Sequence, residues 1–318
     1  MMANHFTSVL VGLLAGLAAA LLLLSAGTPS QVSVFLFAAA ALPVIIAGLG
    51  WSNIASSVAV GAAFLLVALL ANPLAALMTA ATTLVPAAWI SHLANLARPA
   101  EEMGGAPGQL AWYPLPGILL HICGLVCLGL LVMGYVVGYG PDLASQMVDL
   151  LVETMRSQNP AYQPSAEGIA QMKIFFTHAL PAVQGALWVA ILFTALYAGL
   201  AVVRLSGRLK RPRDDLPATL RLPRASVIAF AAGLGLTFLG GVPALIGYAV
   251  VGTFAMGFIM AGFAIVHERT RGKPWRGLAL WLSYMSVIFI TLPLFVFLFL
   301  GLADTAKRGQ PGPNASTP

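Results

Sequence analysis

Residues 114–138 read PLPGILLHICGLVCLGLLVMGYVVG, with no Asp, Glu, Lys or Arg. Wound as a helix at about 1.5 Å per residue, the run is about 37 Å long, enough to cross a hydrocarbon core of about 30 Å. Backbone groups cannot bond to water there, so a helix that satisfies them internally is the structure this stretch dictates.

The rest of the chain repeats the pattern. Of 318 residues, 59% are hydrophobic and 8% are charged, against about 25% charged in soluble domains. Too little charge remains to cover a soluble surface. The alternation of a transmembrane barrel is absent, so the fold class is all-α, a polytopic transmembrane bundle. Apolar runs predict nine spans, at about 8–26, 32–49, 53–71, 73–95, 114–138, 179–204, 225–240, 242–266 and 276–302. The first run has no Lys or Arg ahead of it, and Ser25-Ala26-Gly27 is a poor cleavage site, so it reads as a retained span.

The net charge of +6 reflects topology. Basic residues gather in loop 204–224, with Arg208, Lys210, Arg211 and Arg213, and in loop 267–276, with Arg269, Arg271, Lys273 and Arg276. Such clusters mark cytoplasmic loops and engage anionic lipid head groups. No aromatic-interleaved basic patch suggests nucleic acid. Counting from these loops places the N-terminus inside and 139–178 outside, where Asp142, Asp149, Glu153 and Glu167 outnumber Arg156 and Lys173. Nine spans then put the C-terminus outside. Between the basic loops, 225–266 reads as two spans or as a re-entrant hairpin.

This divides the chain into a five-span unit at 1–138, an external helical insertion at 139–178, a four-span unit at 179–304 and a disordered tail at 305–318. In the insertion, Leu143, Met147, Leu150, Leu151 and Met155 share one helix face, predicting an amphipathic helix on the membrane or capping the bundle. A second helix is expected from Ser165 into the sixth span, kinked by Pro181.

Intramembrane charge is the usual mark of function, and the interior of every predicted span lacks it. That weighs against ion pumps, voltage sensors and aspartyl intramembrane proteases. No G-x-S-x-G, H-E-x-x-H or Walker A sequence occurs, so no enzyme and no catalytic residue is assigned. Cys123 and Cys127 share a helix face but His121 points away, so no metal site and no cofactor is read. The ligand candidates are polar groups within spans: His121, Tyr135, Gln184 and Trp188. Gly12, Gly16 and Ala20 recur every four residues, a stripe that packs another helix closely, either within the bundle or on a separate membrane subunit.

Gly262-Phe263-Ala264-Ile265-Val266-His267, the basic loop after it, and the closing Leu300-Gly301-Leu302-Ala303-Asp304 resemble the YybS-like family of bacterial multi-pass membrane proteins, which carry domain of unknown function 2232. Pro43, Gly48, Gly50 and Thr83-Leu84-Val85-Pro86 fit as well. The resemblance implies a bacterial inner-membrane protein without an assigned activity. The N-terminal spans are similar to substrate-binding subunits of energy-coupling-factor vitamin transporters. That similarity implies a docking role for Gly12, Gly16 and Ala20 towards an ATPase-coupled transporter module, although those subunits usually have six spans. Two functions are therefore expected: transporter-like binding of a small solute, or a non-transporting scaffold or regulator acting through partner proteins.

Overall fold

The computed structural model describes residues 2–25 and 31–307. The expected disorder at 308–318 lies outside the described residues, and residues 305–307 of the expected tail are helical. Helix α1 is Met2–Ser25, and the second span is two helices, α2 Gln31–Ala39 and α3 Ala41–Gly50. The break at Ala40 follows from Pro43, which has no N–H to offer the carbonyl four residues earlier. Helix α4, Asn53–Leu70, is capped by the Ser52 hydroxyl, which accepts from the Ala55 N–H. Asn72 caps α5, Pro73–Thr79, in the same way. A π-turn at Ala80–Leu84 leads into α6, Val85–Asn95, with Pro86 at its start.

A β-hairpin follows, β1 Ala97–Pro99 against β2 Leu110–Trp112, in a segment left unassigned by the span pattern. Next are α7 Leu115–Met133, extended by a π-turn to Gly138, α8 Pro141–Gln158 and α9 Ala166–Leu205. The last five helices are α10 Leu216–Thr219, α11 Ala225–Leu236, α12 Gly241–Arg269, α13 Arg276–Phe289 and α14 Pro293–Lys307.

Among the described residues, seven segments are long and apolar enough to cross a membrane: His5–Ser25, Val32–Gly50, Asn53–Leu70, Pro73–Asn95, Leu115–Gly138, Ala166–Leu205 and Gly241–Arg269. The other two expected spans are not single long helices. Helix α11 is about 18 Å long, too short to span. Ahead of it Leu220 and Leu222 are buried, and Leu222 lies beside Gly257 and Cys123. The chain thus enters the bundle unwound and becomes helical partway in. It turns at Gly240, where a positive φ of 72° suits glycine. Helix α12 then returns alongside α11 through Gly233 against Val250.

The expected span at 276–302 is two helices of about 21 and 22 Å, broken at 290–292. Helix α14 packs closely on α12. Gly262 meets the Phe297 backbone, Gly301 meets the Phe258 backbone, and Phe263 stacks on Phe297 at 3.9 Å. The end of α14 meets the 206–224 connection, where Arg221 pairs with Asp304 and Arg224 donates to the Ala306 carbonyl. Lys307 ends at the same end as the 206–224 connection, not at the opposite end as a ninth span requires.

The insertion forms an antiparallel helix pair. Helix α8 packs on α9 with Ala144, Val148 and Val152, and Asp149 pairs with Lys173 at 2.9 Å. The expected apolar face is turned mostly outward, with Met147, Leu150, Leu151 and Met155 exposed. Small side chains at i, i+4 and i+8 bring the helices close, and the larger ones flank that seam. Helix α9 begins where Ser165 caps it, accepting from the Gly168 N–H, and it is continuous through Pro181.

The glycine stripe of α1 is used inside the chain. Gly12 packs on Ala55 and Val58, Gly16 on Ala59 and Ala62, and Ala20 is buried. The face expected to dock a separate subunit is closed against α4.

Candidate functional site

The four ligand candidates do not converge. His121 lies near the start of α7, with Nε2 3.1 Å from the Tyr113 hydroxyl and Trp89 edge-on at 6.2 Å. Tyr135 is about four helical turns further on and 92% exposed, which is an anchoring position rather than a binding one.

Gln184 and Trp188 do lie together, one turn apart on α9. The Tyr139 hydroxyl donates to Gln184 Oε1, and Gln184 Nε2 faces Met133 Sδ at 3.8 Å. Burial pushes the Tyr139 phenol above its usual range, so it remains a donor at any physiological pH. The Trp188 ring meets Phe37 edge-on at 6.0 Å. Its indole N–H is buried and has no hydrogen-bond partner among the described residues. An unsatisfied buried donor costs about 1–3 kcal/mol.

Between α2–α3 and α9 runs a groove of about 350 Å³, whose lining does not include Gln184 or Trp188. Ala38, Ala39 and Leu42 form one wall, and Leu187, Ala190, Ile191 and Thr194 of α9 form the other. Alanines keep the two walls apart without filling the space between them. Thr194 is the one hydrogen-bonding side chain of the lining. The arrangement can hold an apolar body and contact it at few polar points.

The basic residues expected at the lipid surface divide by role. Lys210, Arg213, Arg269 and Lys273 are exposed, and Arg276 is half-buried. Arg208 lies over the Trp51 ring at 4.3 Å. Arg271 forms a two-pronged pair with Asp215 at 2.7 and 2.8 Å. Arg211 is a correction: it is 3% exposed and turned inward. It grips both oxygens of Asp214 at 2.8 Å and donates to the carbonyls of Ala94 and Tyr113. A guanidinium offers five donors, and here they tie the loop to the ends of α6 and α7.

Arg221 does the same for the last third of the chain. It donates to Glu268 at 2.5 Å, to Asp304 at 2.9 Å and to the carbonyls of Pro217 and Leu220. Neither cluster was recognised from the sequence, where Arg211 read as a topology signal and Arg221 was not singled out in its basic loop. The available signal was local: Arg221 sits between leucines in Leu220-Arg221-Leu222-Pro223, an apolar setting for a cation.

The motif residues at the C-terminal end now have structural roles. Gly262 and Gly301 make the crossing of α12 and α14, Asp304 meets Arg221, and His267 Nε2 meets the Tyr284 hydroxyl at 2.8 Å. No curated protein and no solved structure matches the chain. One family, described as predicted membrane protein (DUF2232), matches residues 16–305, nearly the full length, and the chain belongs to it.

Proposed function

We propose that this is a transporter-like membrane protein that binds a small, largely apolar solute in the groove between α2–α3 and α9. One observation carries the reading. The groove is lined by apolar side chains with Thr194 as its one hydrogen-bonding group, a lining that suits a small apolar body. Burial of an apolar solute there covers apolar surface on both sides, and Thr194 can meet one polar point on it. The spans hold no nucleotide motif, so movement of the solute would draw energy from partner subunits such as an ATPase-coupled module.

The positive-inside rule supports a cytoplasmic position for the end of the bundle that carries the basic loops, in a bacterial inner membrane. The N-terminus of α1 and the C-terminal end of α14 then both face the cytoplasm. The α8–α9 pair faces outward.

The test is extraction of the protein purified in mild detergent, followed by mass spectrometry. A recurrent small molecule is expected with the wild type and lost with Ala190→Phe, which fills the groove, while the fold survives. Equal recovery from both would sink the reading. A second reading, a scaffold working through partner proteins, is favoured by the exposed Leu150 and Phe175 on the outward pair. Co-purification of an outer-face protein, lost when that pair is deleted, would support it.

A further inference from the structure

The β-hairpin between α6 and α7 carries a second groove, of about 310 Å³, at the opposite end of the bundle from the outward pair. Leu96, Met103, Trp112 and Tyr113 form its apolar walls, and Arg98 is its one charged lining residue. Arg98 makes no hydrogen bond or ion pair among the described residues, and it is exposed. Glu101 and Glu102 are off the lining, and Glu101 accepts the Gly108 N–H at 2.9 Å.

The hairpin's base is held firmly. The Tyr113 N–H donates to the Leu96 carbonyl at 2.9 Å. The Tyr113 carbonyl accepts from buried Arg211 at 2.9 Å, and its hydroxyl bonds His121. The groove wall is thus preformed. Its depth is fixed too, because Leu96 follows the last residue of one membrane-crossing segment and Pro114 precedes the first of the next. Leu96 and Tyr113 therefore sit at the head-group level. Met103 and Leu110 are each more than half exposed, an unfavourable state in water but not against acyl chains.

We propose that this groove binds an anionic phospholipid of the adjoining leaflet, with its phosphate at Arg98 and its glycerol and upper acyl carbons against Trp112, Tyr113 and Met103. Charge complementarity selects the anionic lipid over a zwitterionic one. An indole and a phenol suit the boundary between head groups and chains.

The test uses the full chain in nanodiscs containing brominated phosphatidylglycerol or brominated phosphatidylcholine. Bromine quenches nearby indoles, and the Trp112 signal is the difference between wild type and Trp112→Phe. Half-maximal quenching of Trp112 is expected at about fivefold less phosphatidylglycerol than phosphatidylcholine, the weight of one surface cation against an anionic lipid. Arg98→Gln should abolish that preference, Arg98→Lys should retain most of it, and Arg269→Gln should leave it unchanged. Equal quenching by the two lipids in the wild type, or an unchanged preference in Arg98→Gln, would overturn the proposal. So would displacement of the lipid by millimolar glycerol phosphate, which would assign the groove to a soluble anion.

Discussion

Arg221 Nε and Asp304 Oδ2 meet at 2.9 Å across 83 residues of chain. The same guanidinium reaches Glu268 at the end of α12. One side chain therefore joins the unwound approach to α11, the end of α12 and the end of α14. Arg221→Gln removes the cation shared by Asp304 and Glu268, and because Glu268 is partly exposed the loss should be that of hydrogen bonds to charged groups, about 1.5–3 kcal/mol. Asp304→Asn should cost less, because Glu268 still holds the arginine. Thermal unfolding in detergent measures both, with Arg269→Gln as the exposed control. An Arg221→Gln midpoint matching that control would contradict the latch.

The latch also sets where the chain ends. Asp304 can reach Arg221 only if α14 finishes at the end of the bundle that carries the 206–224 connection. Reporter fusions after Gly207 and after Lys307 should therefore report the same compartment. Opposite compartments would restore a ninth full span.

Helix α13 is held far more lightly than α14. It has no buried residue, whereas α14 buries Phe297, Leu298, Gly301 and Thr305. Its one side-chain hydrogen bond to another helix, among the described residues, joins Tyr284 to His267. Few buried contacts mean low local stability. Backbone amides of 278–289 should exchange measurably faster than those of 297–305, and Tyr284→Phe should widen the gap. Equal protection of the two helices would show that α13 is held by something these contacts do not include.

The membrane fold was legible because its cause is compositional. A bilayer demands long uncharged runs, and 114–138 or 53–71 meet the demand without reference to any neighbour. The breaks that shorten α11, α13 and α14 were not legible, because length alone misleads there. Residues 276–302 are apolar enough for one span, and the break at 290–292, ahead of Pro293, is a local event inside an otherwise uniform run. Arg211 was misread and Arg221 passed over for a related reason. Charge counting locates a loop, but burial depends on which carbonyls and carboxylates other segments bring to it. Gln184 and Trp188 were found as polar groups in an apolar helix, yet the groove further along that helix depends on Ala38 and Ala39, which carry no signal of their own.

The Asp215–Arg271 pair lies outside the spans and adds a pH dependence. The Arg271 guanidinium holds the Asp215 carboxyl below its usual range, and the aspartate raises the arginine in turn. A depressed carboxylate stabilises the folded state above its unfolded pKa, and that contribution fades as the pH falls through the folded value. Acid should therefore weaken the wild type from about pH 5 downward. Asp215→Asn should flatten that part of the profile and leave neutral pH nearly unchanged. Both groups are exposed, so the effect is small and should shrink in high salt. A wild-type and Asp215→Asn profile of identical shape would rule the pair out as a contributor.

Glycines separate close contact from mere helix composition. A side chain at Gly301 would collide with the Phe258 carbonyl, and one at Gly16 would lie 2.6 Å from the Ala59 carbonyl. Backbone atoms cannot swing aside as side chains do, so α14 or α1 would have to move away whole. Such overpacking costs typically about 1–3 kcal/mol, and Gly301→Ala and Gly16→Ala should both lower the unfolding midpoint. Gly61, on the outer face of α4, has open space where a β-carbon would project, with no neighbouring atom within 4 Å. Gly61→Ala should instead gain about 0.8–1 kcal/mol from helix propensity. The Gly16 result also distinguishes the two uses of the α1 stripe. Loss of stability in the isolated protein is the signature of packing on α4, whereas a docking face for another subunit would leave the isolated protein unchanged and weaken only its association.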